Sequence, residues 1–495
     1  MTDHSTFPDP TYKRTVLAPL FDGVKAHYAG HMMAINKAHL VMLVETGILD
    51  AAQGRQIAGA LADIARDVDL EALTYTGEHE DYFFLVEAEL KRRVGPDLGG
   101  MLHTARSRND MDHTMFKMAL RARADALMAQ GLALADALTA KAHAEAGTLI
   151  VAYTHGQPAQ PTTFGHYLAA VVDVLLRDLD RLAAARDALD HCPMGSAAIT
   201  TSGFLIDRAR MAALLGFTAP TANSYGSIAA VDYVTGLYSA IKLVFLHLGR
   251  VVQDMAFWSA FEVGQLRVPD SLVQISSIMP QKRNPVPIEH MRHLASVTCG
   301  HCDTLVNTMH NTPFTDMNDS EGEVQAAGYR AFESGGRMLD LLAAFLPACS
   351  IDAARVRANA DAACVTVTEL ADSLVRRDGL SFRQAHEIAA ATARAVIAEG
   401  KPLAKGYPAF AAAYEAETGR APSHTSESYG EAVSPEGFVA SRERPGGPGP
   451  GALATALTAF RARHAALAES RDTHLARIAA ADAARAAAFA ALTTE

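Results

Sequence analysis

Apolar residues recur at helical spacing over long stretches that contain no internal proline. From His113 to about Ala146 the apolar positions include Met115, Met118, Ala119, Leu127, Leu132, Leu134 and Leu138. A second stretch, Thr163 to about Leu189, carries Leu168, Val171, Val172, Val174, Leu175, Leu179 and Leu182. A third, Ser227 to Trp258, has Val234, Leu237, Leu243, Leu246, Leu248 and Val251 around much of its circumference. A fourth starts near Pro287 and ends before Pro313, and a fifth spans Glu323 to Leu346. Such lengths far exceed the usual helix of about 11–12 residues. Helices apolar on more than one face must be buried on more than one face. The pattern predicts an all-α protein built on an elongated bundle, packed against copies of itself.

Flanking regions read differently. Residues 1–110 carry shorter helical patterns, so the expected units are an N-terminal helical domain (1–110), the long-helix bundle (111–352) and a C-terminal helical domain (353–495). Within the last, Glu369 to Gly400 reads as two modest helices split at Arg377-Asp378-Gly379. Arg444 to Gly451 is a sharp loop, and an Ala-rich helix follows almost to the end.

Composition narrows the function classes. The chain has 495 residues and a formal net charge of -11, which disfavours nucleic-acid binding. No uninterrupted apolar run reaches the roughly 18 residues expected of a membrane span. The first residues show no apolar signal segment, and five scattered cysteines do not suggest a disulfide framework. The expectation is a cytoplasmic protein. Any anionic substrate then needs a locally basic or N–H-rich pocket.

Three segments interrupt the helical monotony. Leu98 to Asp110 ends in Ser107-Arg108-Asn109 before the first long helix, a cluster suited to a carboxylate or simply to a helix cap. Tyr153 to Tyr167 holds Thr154, His155, Gln157 and two prolines, which reads as an ordered loop whose histidine either exchanges protons or holds backbone carbonyls. Gln274 to Arg292 packs Ser276, Ser277, Lys282 and Asn284 into a non-periodic stretch, the composition of a lid or of an ordinary linker.

Together, in this order, these segments resemble the argininosuccinate lyase branch of the aspartase/fumarase superfamily. Ser276 to Pro285 is similar to the signature Gly-Ser-Ser-x-Met-Pro-x-Lys-x-Asn-Pro, with Ile275 in place of its glycine. His103 to Asp110 is similar to His-Thr-Gly-Arg-Ser-Arg-Asn-Asp, with Ala105 for glycine. Tyr153-Thr154-His155 resembles the Thr-His loop, and Pro193 to Ser196, Phe382 to Ile388 and Phe438 to Pro448 are weaker matches. The resemblance implies three helical domains, a homotetramer with a twenty-helix core, and active sites each built from three subunits. It implies β-elimination of an amine from an N-substituted aspartate to give fumarate, with no cofactor and no metal. Ser277 would be the base. His155 would be the proton donor or a hydrogen-bond anchor, oriented by Glu289 of another chain. Ser107, Arg108, Asn109, Thr154, Gln157, Ser276, Met279, Lys282 and Asn284 would contact substrate.

On the amine side the resemblance weakens. Met32 and Asn36 stand where the branch has Asp and Ser; Pro313, Asn318 and Glu321 stand where it has Tyr, Gln and Lys. These departures imply a different amine, as in ethylenediamine-N,N'-disuccinate, with argininosuccinate itself as the alternative. Two rivals are weaker. Cys299-Gly-His-Cys302 lies mid-helix without a thioredoxin-like strand pattern or a second zinc-ligand pair. An inactive scaffold, as in the lens crystallins of this branch, would not need Ser277, Lys282, Asn284 and His155.

Overall fold

A computed structural model describes residues 7–494. Residues 1–6, part of the start read for a signal segment, and residue 495 lie outside the described residues. The main helices are α1 (Ala29–Glu45), α2 (Ala51–Asp67), α3 (Arg108–Ala144), α4 (Phe164–Ala188), α5 (Asp232–Ser259), α6 (Val286–Thr308), α7 (Gly322–Ala348), α8 (Val367–Asp378), α9 (Phe382–Ala398) and α10 (Pro450–Thr494).

The bundle is a closed ring. Helix α3 packs on α4, α4 on α5, α5 on α6, α6 on α7, and α7 returns to α3. Local sequence explains the ends. Ser107 caps α3 in a reciprocal box with Asp110, and basic Lys141 and His143 sit in its last turn. Thr163 caps α4 by accepting the His166 N–H at 3.0 Å. The third predicted stretch is not one helix. It breaks at Ala230 and Val231 into a short Ser224–Ala229 helix and α5. By length and mean hydropathy α5 is long and apolar enough to cross a membrane, although Lys242 interrupts its apolar run. In the bundle its buried Val234, Leu237, Ile241, Phe245 and Val252 find protein partners instead.

The C-terminal region divides between two cores. Gly379, at φ +65°, ends α8 in the left-handed conformation where the split was expected. Leu370, Leu374, Ile388, Phe410 and Tyr429 form a separate small core there. Helix α10, 45 residues long, leaves that unit and lies along α4, α3, α2 and α1. Its Leu453, Leu457, Leu467 and Phe489 join the main core. A buried polar latch holds it: His474 Nδ1 meets Asp125 Oδ2 of α3 at 2.8 Å, and Arg186 of α4 donates to Asp125 Oδ1 at 3.2 Å. The expected 353–495 unit is thus a small helical domain followed by a strap across the rest of the chain.

Candidate active site

The Leu98–Asp110 segment is fixed from behind. His39 Nε2 of α1 bonds the Thr104 carbonyl at 2.9 Å, and Arg106 Nη1 donates to Asn36 Oδ1 at 2.7 Å. Ala105, where the branch has glycine, adopts φ +60°. Asp110 then fastens the start of α3 to the turn at Pro193–Ala197. Its carboxylate accepts the N–H groups of Ser107, Gly195 and Ala197 at 2.9, 2.9 and 3.0 Å. Burial still pushes this carboxyl up to about 7, against the pull of those three hydrogen bonds and Arg106.

In front of this anchor the three candidates diverge. Ser107 Oγ donates to Asn109 Oδ1 at 2.9 Å. Asn109 Nδ2 donates to Asp316 Oδ2 at 2.7 Å, bringing the 313–321 segment against the α3 start. Arg108 is held by Asp81 at 2.7 Å and Glu80 at 3.0 Å, so within this chain it is an ion-paired residue rather than an open carboxylate clamp.

The Thr-His segment is not a loop. Leu149–Thr154 (β1) and Gln157–Thr163 (β2) form an antiparallel hairpin, with Thr154 paired to Gln157. His155 and Gly156 are its two-residue turn, at φ +54° and +73°. Two positive φ values match the right-handed twist of the strands, and histidine tolerates the left-handed region better than most residues. The prolines at 158 and 161 fit because a two-stranded ribbon is all edge. The His-Gly dipeptide was the signal for this turn. It projects Thr154, His155 and Gln157 into solvent.

The signature segment is a clasped loop. Gln274–Ile275 (β3) pairs antiparallel with Arg283–Asn284 (β4), and Arg283 also binds Asp270 and donates to the Val268 carbonyl at 2.8 Å. Ile275, in the glycine position, is extended and 80% exposed. Ser276 Oγ accepts the Met279 N–H at 3.1 Å, which turns the chain at the tip. Ser277 and Lys282 are exposed at that tip, Asn284 is at its base, and Glu289 is exposed in the first turn of α6. Met279, Lys282 and Arg283 border a cleft of 970 Å³ shared with Arg267 and Arg355. Among the described residues, no hydrogen bond or ion pair joins Ser107–Asn109, Thr154–Gln157 and Ser276–Asn284.

On the amine side, Met32 is 4% and Asn36 2% exposed, and Asn36 is occupied by Arg106. These two positions are structural, so the sequence argument from them to a changed amine does not hold. Pro313 and Asn318 are exposed, whereas Glu321 stands at the N-cap position of α7, without a side-chain capping bond, beside the α3 start. Sequence reasoning missed the anchoring role of Asp110 and the proximity of Asp112, His113 and Asp316, because helix spacing does not report which loop covers a helix face.

A family model described as lyase matches residues 18–300, and one described as argininosuccinate lyase C-terminal matches residues 364–440. The chain is 60% identical over 463 residues to argininosuccinate lyase 2 of Agrobacterium fabrum, covering 93% of this chain and 92% of the relative. The chain belongs to the argininosuccinate lyase branch of the aspartase/fumarase superfamily. A member from Halorhodospira halophila, named argininosuccinate lyase, is 36% identical and spans 75% of this chain and 79% of its own. A crystal structure of EDDS lyase in complex with formate superposes with a TM-score of 0.84 at 27% identity, covering 98% of this lyase and 96% of that chain. This is a C–N lyase of the fumarate-releasing class, with the helical fold of that superfamily.

Proposed function

We propose that the lyase cleaves argininosuccinate to arginine and fumarate. The observation that carries this is the 60% identity, along nearly the full chain, to a protein named argininosuccinate lyase 2. The burial of Met32 and Asn36 removes two of the five departures that argued for another amine.

The chemistry follows from the weak acidity of the C–H beside a carboxylate. Ser277 removes that proton, and the doubly charged carboxylate that develops needs donors already in position. Lys282 and Asn284 supply them from the same loop. Closure of the loop excludes water, which makes those charges count for more and makes a serine alkoxide accessible. The C–N bond then breaks, fumarate forms, and the leaving nitrogen takes a proton from a donor for which His155 is the candidate. Thr154, Gln157, Ser107 and Asn109 hold the succinyl part. Among the described residues no hydrogen bond or ion pair joins the three segments, which supports a site completed by copies of the chain, with Glu289 of one orienting His155 of another. The exposed Leu246 of α5 and Val297 of α6 are available for such packing. Four copies of the 52.6 kDa chain is the expected assembly.

A second reading, an ethylenediamine-N,N'-disuccinate-type substrate, is supported by Glu321 in place of lysine and by the resemblance to EDDS lyase. Comparing kcat/KM for argininosuccinate, ethylenediamine-N,N'-disuccinate and simple N-alkyl aspartates, by fumarate absorbance, separates them. Argininosuccinate ahead by tenfold, about 1.4 kcal/mol of transition-state preference, supports the first reading. The reverse order establishes the second.

A further inference from the structure

Helix α10 is held to the bundle by a polar cluster as well as by its apolar side chains. Arg121 and Asp125 of α3, Arg186 of α4 and Asp190 just beyond α4 face Arg471, His474 and Arg477 of α10. Most of the cations are already engaged. Arg121 donates to the Leu215 and Gly216 carbonyls at 2.6 and 3.0 Å and stays 3.9 Å from Asp190 Oδ1. Arg186 pairs with Asp187 at 2.8 Å and donates to Asp125 Oδ1 at 3.2 Å. Arg471 donates to the Asp125 backbone carbonyl at 3.0 Å, and Arg477 binds Asp190 Oδ2. The second oxygen of each carboxylate faces His474.

His474 is buried between the two carboxylates. An ionised carboxylate only accepts hydrogen bonds. Nδ1, 2.8 Å from Asp125 Oδ2, therefore carries a proton. Nε2 lies 3.8 Å from Asp190 Oδ1, and among the described residues neither of these two atoms has a hydrogen-bond partner. In a neutral ring Nε2 presents a lone pair to a carboxylate oxygen, so two buried acceptors face each other. A proton on Nε2 turns the same approach into an attraction. Burial pulls His474 down, and Arg186 does the same, but the bonds to Asp125 and Asp190 prevail and hold the imidazole above its usual range. Burial likewise opposes the charge on Asp190, yet His474 and Arg477 hold that carboxyl below its own range.

We propose that His474 is a pH-sensitive pin for the α10 strap: charged, it locks the helix to Asp125 and Asp190, and neutral, it lets the middle of the helix open more readily. A group that binds its proton more tightly in the fold contributes fully below its unfolded value and loses that contribution as pH rises through its folded one. The strap is therefore firmest in mildly acidic solution and loosens toward alkaline pH. Asp190 acts in the opposite sense and only in stronger acid, where its protonation removes the partner of Nε2.

Backbone hydrogen exchange of the full-length protein, from about pH 6 to about pH 9 and corrected for the intrinsic pH dependence of exchange, reads this opening. His474→Gln keeps a donor for Asp125 and cannot be charged. Peptides around residues 467–481 should be protected about threefold or more better in wild type than in His474→Gln near pH 6, with the ratio falling toward one near pH 9. Asp110, Lys117 and Glu321, displaced to about 7, 8 and 7, lie outside α10 and are common to both proteins, so they cancel in the ratio. A packing role alone gives one ratio at every pH. A flat ratio, or one that grows with pH, overturns the pin. His464, the other α10 histidine, bonds the Leu132 carbonyl at 3.0 Å, and His464→Gln should keep the wild-type profile. Loss of the pH dependence in that variant instead also overturns the assignment. If His474→Gln leaves α10 undocked at every pH, wild type decides: α10 must lose protection relative to α6 as pH rises, and an unchanged difference refutes the proposal.

Discussion

The Asp110 carboxylate accepts the Gly195 N–H at 2.9 Å and so ties the cap of α3 to a turn far along the chain. Removing it strands three backbone donors at once, one buried and two partly buried. Asp110→Ala should lower stability by about 2–4 kcal/mol, in the range of losing a cap and leaving buried groups unpaired. It should also weaken fumarate binding, since Ser107 and Asn109 lose their fixed backbone. Denaturant melts and fumarate titration check this; unchanged values in both would refute the anchoring role.

Ala105 occupies a left-handed conformation at φ +60°. For an L-residue with a Cβ that conformation costs roughly 1–2 kcal/mol, offset in part by the extra entropy glycine loses on folding. Ala105→Gly should therefore stabilise the protein by about 0.5–1 kcal/mol. The shift in denaturation midpoint at constant slope is the measurement.

Ser277→Ala should abolish fumarate release, by three or more orders of magnitude, with the assembly still folded, because proton abstraction limits the step. His155→Ala should be similarly impaired. Mixing the two inactive proteins, unfolding and refolding them together, should restore part of the activity if each site draws on several chains. No recovery in refolded mixed assemblies would sink the shared-site proposal, as would an active monomer in mass photometry.

Glu321 gives a pH dependence with a definite sign. Its carboxyl is raised in the fold to about 7 from an ordinary 4.5, chiefly by burial. Between those values the native chain holds a proton that the unfolded chain has released. Native stability from this group thus declines as pH rises through that window and levels off above about 8. Glu321→Gln removes the effect. Its advantage over wild type should be near zero at about pH 4 and on the order of 1–3 kcal/mol above pH 8. Thermal melts across that range decide; an advantage that grows toward acid pH contradicts the assignment.

The long helices were legible because apolar spacing without proline is a strong, local signal. Their ends were also near the residues that cap them, Thr163 and the Gly379 break among them. What stayed hidden was tertiary. The β1–β2 hairpin was masked by Pro158 and Pro161, which propensity alone assigns to a loop. The signature loop was found by its residues, but the β3–β4 clasp at its base is only two residues a side and leaves no periodic trace. Met32 and Asn36 aligned with substrate-side positions, yet burial, and for Asn36 the bond from Arg106, decides their role. The approach of Glu321 to Asp112 brings together positions distant in the chain, which no window of sequence reports.

The α10 strap sets an order of events for the newborn chain. Its far end meets its beginning: Lys37 of α1 lies 5.0 Å from the Phe489 ring. The grooves of α1, α2, α3 and α4 that α10 fills stay open to water during synthesis, whatever the earlier helices have achieved. The bundle can gather helix by helix, since neighbouring contacts come early. Its outer seam closes only when the α10 residues arrive, so a chain cut within α10 leaves an apolar-faced product, the form that quality-control proteases and aggregation remove first.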